Sequence, residues 1–391
     1  MARYFNTAGP NQADINYTLD PLKRIDLPAI RPLIDNRRYF ILHAPRQTGK
    51  TSCLLALMNQ LNAEGRYRTL YTNVEVGQAK RENVDAAMPG ILEHIGDSAV
   101  TGLGEPVTER LAYDLAKTAA PSNMLHTFLR QWCAASDKPC VLLLDEVDSL
   151  VGDTLISLLR QLRAGYPTRP RFFPQSVILC GVRDIKDYRI HSSSTNQIVV
   201  GGSAFNIKAR SIRLEDFTQA DIAELYAQHT SETGQAFTDE ALELVWDYTR
   251  GQPWLVNALA AEATGDYDRR DTSPVDAERI RDAKEALILA RQTHLDQLAA
   301  RLEEDRVRRV IEPLLSGVDV ESAITPDDVQ YVRDLGLIAP DAPIRIANAI
   351  YREVIPRELT WGRQEGIPPR EVAYIRPDNT PLLSAIHVRN G

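Results

Sequence analysis

Ala44-Pro45-Arg46-Gln47-Thr48-Gly49-Lys50-Thr51 is the stretch on which the reading of this chain turns. An apolar run, Tyr39-Phe40-Ile41-Leu42-His43, leads into it, and a helical pattern from Thr51 to Leu61 leads out. A turn bearing glycine and lysine between a strand and a helix is the position a phosphate loop requires. Backbone N–H groups of such a loop and of the helix N-terminus converge on an anion. Lys50 would set a positive charge against the β- and γ-phosphates of a nucleotide, and Thr51 a hydroxyl for Mg2+. Contacts to phosphate are therefore expected from Ala44, Pro45, Arg46, Gln47, Thr48, Gly49, Lys50, Thr51 and Ser52.

Outward from the octet, apolar runs alternate with helical stretches. Arg68 to Val76 (RTLYTNVEV) is β-branched and aromatic and reads as a second strand. Residues 78–135 are helical in pattern, with a break around Gly102-Leu103-Gly104-Glu105-Pro106. Cys140 to Leu144 (CVLLL) and Ser176 to Val182 (SVILCGV) are unbroken apolar strands, as burial on both faces demands, and Ser211 to Leu214 is a short fifth. Strands of this kind separated by helices predict a parallel α/β sheet. From 215 onward helical periodicity dominates. Gly251-Gln252-Pro253 marks a turn before a helix at Trp254, residues 264–275 read as a polar linker, and residues 276–304 read as one charged helix. Thr325-Pro326-Asp327-Asp328 is a helix start, an N-cap followed by proline at the first helical position. Extended pieces follow around Ile338 and Ile344-Arg345-Ile346, then a helix from Ala349 to Ile355.

The octet resembles the Walker A motif G-x-x-x-x-G-K-[ST], with Ala44 in place of the first glycine. Val141-Leu142-Leu143-Leu144-Asp145-Glu146 resembles a Walker B motif. A buried strand would deliver Asp145 at its C-terminal end, where ligands bind in parallel sheets. The resemblance implies that Asp145 holds Mg2+ through water, with Thr51, and that Glu146 polarises the attacking water. A glutamate directly after the Walker B aspartate points to the additional-strand class of P-loop ATPases, with an extra strand between the Walker A and Walker B strands. Arg68 to Val76 can be a neighbour in that sheet, and the fourth strand, Ser176 to Val182, is expected beside the Walker A strand. In AAA+ proteins its end carries a polar group that touches the γ-phosphate. Here the sequence continues Gly181-Val182-Arg183-Asp184, so Arg183 is the candidate; the alternative is that it pairs with Asp184, Asp187 or Glu146.

Over about residues 37–358 the arrangement resembles AAA-like archaeal and bacterial ATPases related to the STAND group and to the Orc/Cdc6 initiators. Gly251-Gln252-Pro253 resembles the G-x-P turn of the STAND lid, which implies that Pro253 packs on adenine; the alternative is an ordinary turn proline. Leu214-Glu215-Asp216-Phe217-Thr218 resembles the step from the last strand into the lid, with Thr218 as a helix cap. Ile346 to Tyr351 resembles the approach to the last helix of a winged helix. The expected fold is an α/β P-loop NTPase with a parallel sheet, followed by an α-helical lid and a winged-helix domain. Its boundaries are an N-terminal arm (1–36, extended with a short helix), the P-loop domain (37–214), the lid (215–300), the winged helix (301–360) and an irregular tail (361–391). In the arm, Tyr17, Leu19, Pro21 and Leu22 either border the adenine or pack on the sheet.

Composition sets the function classes. The 391 residues carry 45 Lys and Arg against 53 Asp and Glu, a net charge of −8, which does not favour nucleic acid or an anionic membrane. Residues 301–359 hold eight arginines, no lysine and twelve acids, so the winged helix shares the acidity. A local basic edge of Arg301, Arg306, Arg308 and Arg309 remains. Cys53, Cys133, Cys140 and Cys180 form no C-x-x-C pair and are expected as buried free thiols. No leader and no apolar run of about 18 residues is visible, so a cytoplasmic location and no membrane contact are expected. The reading is an Mg-dependent ATPase, its cofactors ATP and Mg2+, acting as a nucleotide-driven switch with a protein partner or as a homo-oligomer. Arg160, Arg163, Arg169, Arg171 and Arg189 are candidate arginine fingers. The alternatives are a DNA-associated ATPase and a non-hydrolysing nucleotide-gated scaffold.

Overall fold

The computed structural model describes residues 3–192, 197–265, 272–290, 293–316 and 324–365. The chain opens with α1 (Pro21–Arg24) and α2 (Leu27–Asp35), then β1 (Tyr39–His43), α3 (Lys50–Ala63) and β2 (Arg68–Asn73). Three helices follow, α4 (Val84–Leu103), α5 (Pro106–Thr118) and α6 (Met124–Ala135), before β3 (Cys140–Asp145), α7 (Gly152–Gly165) and β4 (Ser176–Gly181). A hairpin of β5 (Arg189–Ser192) and β6 (Gln197–Val200) with the short α8 (Gly201–Ala204) leads to β7 (Lys208–Arg213). The rest is helical: α9 (Gln219–Thr233), α10 (Asp239–Thr249), α11 (Pro253–Thr264), α12 (Ala277–Leu289), α13 (Thr293–Leu302), α14 (Asp305–Ser316), α15 (Pro326–Asp334) and α16 (Ala349–Glu365).

The five-stranded sheet has the order β2-β3-β4-β1-β7, and every pairing in it is parallel. β4 therefore lies between the strand that enters the phosphate loop and the strand that ends at Asp145, as the additional-strand reading expects. Period-two alternation sorts the side chains. Tyr39, Ile41, Leu142, Leu144, Val177 and Leu179 enter one core with the inward faces of α4, α6 and α7. Phe40, Leu42, Val141, Leu143, Ile178 and Cys180 enter a second core beneath α2 and α3. Unbroken apolar runs are thus what each strand needs. The four cysteines are free and buried.

Several local expectations change. The arm carries two short helices rather than one. The second strand ends at Asn73, not Val76, because the Asn73 side chain accepts from the Glu75 N–H at 2.7 Å and turns the chain into a 3₁₀ segment. The β5–β6 hairpin was not expected, since each of its strands is only four residues long. The stretch 276–304 is described as two helices, Ala277–Leu289 and Thr293–Leu302, with residues 291–292 outside the described residues; Leu295, Leu298 and Leu302 of the second join the same core as Ile280 and Leu287 of the first. α16 runs through Glu365, and the remainder of the expected tail lies outside the described residues, as does half of the linker at 264–275, residues 266–271.

One continuous core joins the helical half. It gathers Phe5, Tyr17 and Leu19 from the arm, Trp254 and Leu255 from α11, and Ile350 and Ile355 from α16. Tyr17 and Leu19 thus pack mainly on the helices and not on the sheet. Thr325 caps α15 by accepting from the Asp328 N–H, with Pro326 at the first position, as expected. After α15, Ile338 and Ile346 form an antiparallel bridge ahead of α16.

Candidate functional site

The octet forms the turn between β1 and α3. Ala44 is buried, its N–H donating to the Gly181 carbonyl at 3.2 Å, so this position extends the β1–β4 pairing and accommodates a Cβ. Gln47 and Gly49 take left-handed backbone, φ +58° and +86°, which turns the loop into the helix; Gly49 is the N-cap of α3. Thr48 Oγ1 donates to the Pro45 carbonyl at 2.9 Å and closes the loop from inside. Lys50 is only 5% exposed, and its Nζ donates to the Ala44 and Pro45 carbonyls at 3.0 and 2.9 Å. The ammonium thus lies under the loop, against the carbonyls that shape it.

Thr51, on α3, and Asp145, at the end of β3, are 94 residues apart in sequence and meet directly: Thr51 Oγ1 donates to Asp145 Oδ2 at 2.7 Å. Asp145 is fully buried. Its Oδ1 accepts from the Glu146 N–H at 2.9 Å, and its Oδ2 also accepts from Tyr71 Oη at 3.1 Å. A fully buried carboxylate held by three donors, one of them the Thr51 hydroxyl, makes with that hydroxyl a hard oxygen pair suited to a magnesium ion. Tyr71 was not anticipated. The β2–β3 register, which pairs Tyr71 with Leu143 and Asn73 with Asp145, sets it on this face, and register is not readable from local pattern. Burial, with Asp145 beside it, pushes the Tyr71 hydroxyl well above its ordinary range. Glu146 has a left-handed φ of +55°, and burial followed by the nearby Asp148 raises its carboxyl above the usual range.

Asp148 is a second residue the sequence reading missed. Its Oδ1 accepts from the Val182 N–H at 3.0 Å and caps the end of β4. Arg183 follows, 11% exposed, but its Nε donates to Asp334 Oδ2 at 3.2 Å, and its guanidinium stands 4.8 Å from the centre of the Tyr331 ring. None of Asp184, Asp187 and Glu146 is the partner found for Arg183; α15 is. Asp184 instead holds Lys208 Nζ at 2.6 Å and accepts from Ser211 Oγ at 2.5 Å, tying β4 to β7. The C-terminal helices reach the loop a second time where Pro45 stands against Gly336.

The arm and α11 close the other side. Arg24 Nη1 donates to the Thr48 carbonyl at 2.7 Å and Nη2 to the Glu215 carbonyl at 2.9 Å, while its guanidinium lies 4.7 Å from the centre of Phe217. One arginine thus joins the arm, the loop and the segment between β7 and α9. Ser52 Oγ accepts from the Asn11 N–H at 3.2 Å. Pro253 shares a cavity of 110 Å3 with Gln47, Gly49, Ser52 and Cys53, so the structure brings the expected G-x-P proline to the loop. The turn itself depends on Gly251: φ is +81°, and a Cβ there would stand 1.9 Å from the Phe217 carbonyl oxygen. Thr218 caps α9 in a reciprocal pair with Asp221. Nearby, His294 stacks on Trp254 at 4.8 Å, with Nε2 2.5 Å from the Tyr351 hydroxyl, and burial pushes its pKa down to about 4.

A wider groove of 1130 Å3 opens from Pro45 and Arg46 between α10 and the C-terminal helices. The expected basic edge beyond it is paired. Arg306 meets Asp327 and Asp328 at 3.0 and 3.1 Å, Arg309 meets Asp328 at 3.6 Å, Arg301 meets Glu304 at 2.7 Å, and Arg308 meets Asp305 at 3.5 Å. Of the candidate fingers, Arg169 lies 3.3 Å from the centre of Tyr166 and donates to its carbonyl at 2.6 Å, and Arg163 donates to the Ser203 carbonyl at 3.1 Å. Arg160 and Arg171 are exposed, and the Arg189 side chain lies outside what is described.

A parallel sheet with this strand order, a phosphate loop after β1, and Thr51 meeting the acid at the end of β3 define a P-loop NTPase fold. Residues 34–188 match the family model of an AAA domain. No curated protein matches the chain. Among solved structures it is similar to a Walker-type ATPase of Pyrococcus abyssi, with 12% identity, a TM-score of 0.61, and coverage of 90% of this chain and 99% of the other. Cdc6p of Pyrobaculum aerophilum aligns with 15% identity and a TM-score of 0.44 over 92% and 96% of the two chains. The RuvB Holliday junction branch migration motor of Thermotoga maritima aligns with 13% identity and a TM-score of 0.42 over 86% and 93%. Among the described residues, no helix is long and apolar enough to cross a membrane.

Proposed function

We propose that this chain binds ATP with Mg2+ at the β1–α3 turn and hydrolyses it, and that the nucleotide state is passed to the helical half. The observation that carries the reading is the direct contact of Thr51 Oγ1 with Asp145 Oδ2, at 2.7 Å, beside a buried Lys50. Magnesium, when bound, supplies charge neutralisation on the phosphate oxygens. In this reading Thr51 and Asp145 hold it, Asp145 through water, Tyr71 keeps the Asp145 carboxylate turned toward it, and the loop N–H groups of residues 46–51 bind the β-phosphate. Lys50 exchanges its carbonyl partners for phosphate oxygens. Glu146 orients the attacking water and takes its proton. Pro253 covers the base.

The helical half is placed to sense this exchange. Its contacts at Pro45–Gly336 and Arg183–Asp334 touch the loop and the end of β4, and a change in either shifts the balance of the C-terminal helices. We read residues 301–360 as a winged-helix module and 215–300 as the lid. Because the four arginines of the basic edge each have an acidic partner, a protein partner or a second copy of the chain is favoured over DNA as the recipient.

Lys50→Ala tests the reading. The variant is expected to lose Mg-ATP binding by calorimetry while keeping its thermal unfolding transition. Binding at wild-type affinity would place the nucleotide elsewhere.

A further inference from the structure

Every pairing in the main sheet is parallel, so all five strands are entered from one end, opposite the phosphate loop. In sheet order the entry segments are 64–68, 136–139, 166–175, 35–38 and 206–208. Together they hold eight Lys and Arg against three Asp and Glu, in a chain whose net charge is −8. The acids are engaged: Asp35 by Arg66 at 3.6 Å, Asp137 by Arg68 at 3.5 Å, and Glu64 by Arg31. Arg37, Arg38, Lys138 and Arg171 are exposed and have no ion-pair partner among the described residues. The backbone that carries the first two is fixed. Arg169 donates to the Arg37 carbonyl, Ser176 Oγ to the Arg38 carbonyl at 2.6 Å, and Gln175 Nε2 to the Ile34 carbonyl at 2.9 Å. Arg37 takes φ +58°, left-handed backbone that glycine adopts at least cost. An arginine without an ion-pair partner thus stands where the local conformation favours no side chain. The C-terminal ends of α2, α3, α6 and α7 lie on this side too, and a cation beside a helix C-terminus is favourable. One cation per helix would meet that need. Arg37 and Arg38 make two after α2, and Arg169 and Arg171 two after α7.

We propose that this end of the sheet docks on the phosphate backbone of duplex DNA. The proposal does not rest on the nucleotide-binding reading, and the face is apart from the C-terminal helices that receive the nucleotide state. Neighbouring strands lie about 4.8 Å apart, so the row of cations spans about 19 Å, over which a duplex presents about eleven charges. Guanidinium groups match phosphate oxygens two at a time. The paired basic edge at Arg301–Arg309 lacks what this face has, cations not already neutralised. A protein partner would need an apolar centre to its interface. Phe172 is the one large apolar side chain exposed in these segments. A single strand would need rings on which to stack its bases. The rings of Phe172, Tyr67 and Tyr166 already carry Arg171, Arg66 and Arg169 at 5.3, 5.4 and 3.3 Å from their centres.

The test measures fluorescence anisotropy of the full chain with a labelled duplex of mixed sequence, the corresponding single strand, and polyglutamate as competitor. The duplex should bind at about 50 mM salt and about a hundredfold more weakly at about 200 mM, the release expected for about four phosphate contacts. Arg38→Glu combined with Arg171→Glu should cost about tenfold or more at the lower salt, with the melting temperature held. Arg37→Gly should weaken binding about threefold while keeping or raising the melting temperature, since glycine relieves the backbone. A purely structural role for Arg37 would lower the melting temperature and leave affinity alone. Should the double variant lose its thermal transition, Arg37→Gly carries the test. Arg308→Glu, on the paired edge, should leave affinity unchanged. No duplex binding at the lower salt, wild-type affinity in the face variants, or a loss confined to Arg308→Glu would overturn the proposal. So would tighter binding of the single strand, or displacement of the duplex by polyglutamate at equal charge, which would give the face to an acidic protein.

Discussion

In the sheet half, β1, β3 and β4 each send alternate side chains into two separate cores, so these three central strands are covered on both faces. In the helical half, a single core draws Phe5 from the start of the chain, Val256 from its middle and Ile355 from near its end. The first arrangement frees the strand ends for chemistry: Asp145 and the octet sit where the sheet stops. The second makes the arm, the helices α9–α12 and the C-terminal helices interdependent, because none buries its apolar face alone. Changes at the strand ends should therefore alter ligand handling with little loss of stability, and changes in the helical core should do the reverse.

The largest expected break in that contrast is Gly251→Ala. Its Cβ would lie 1.9 Å from the Phe217 carbonyl oxygen on a backbone with φ +81°. A destabilisation of about 3 kcal/mol or more is expected in urea unfolding, since the close approach adds to the conformational cost. A change below about 0.5 kcal/mol would mean that the turn relaxes freely.

Next comes the pH response of the helical half. Burial holds His294 at about 4, below its unfolded value, so the native state binds fewer protons than the unfolded chain. The stability tied to this group is full above about 6.5 and falls as pH drops toward 4, by up to about 1.4 kcal/mol per unit. Melting curves at pH 7 and pH 5 should show a smaller acid-induced loss for His294→Asn than for wild type. Parallel losses would remove His294 as the cause.

The smallest effect sharpens the other side. Tyr71→Phe removes one donor from Asp145 Oδ2 and leaves Thr51 in place. It should raise the Mg2+ needed for half-maximal turnover about three- to tenfold, with the melting temperature nearly unchanged. An unaltered magnesium requirement would leave the tyrosine a structural role only.

What the sequence disclosed follows the same division. The octet, the apolar strands, the Asp145-Glu146 step and the caps at Thr218 and Thr325 are local patterns, and each sits where local physics puts it. Ala44 is accommodated because its backbone lies outside the left-handed region and its side chain enters a core. Tyr71, Arg24 and Asp148 were missed because their roles depend on strand register or on contacts far along the chain. Arg183 shows the limit most clearly. Its position at the end of β4 was readable, but its partner, Asp334, lies 151 residues away on α15. The basic edge at Arg301–Arg309 likewise reads as charge in sequence and as ion pairs in the fold.

The most direct measurement of the central claim compares ATP binding and phosphate release in wild type and Glu146→Gln, with Mg2+ present. The account predicts that the variant binds ATP at close to wild-type affinity and releases phosphate at least about a hundredfold more slowly. Phosphate release at the wild-type rate in Glu146→Gln would contradict it.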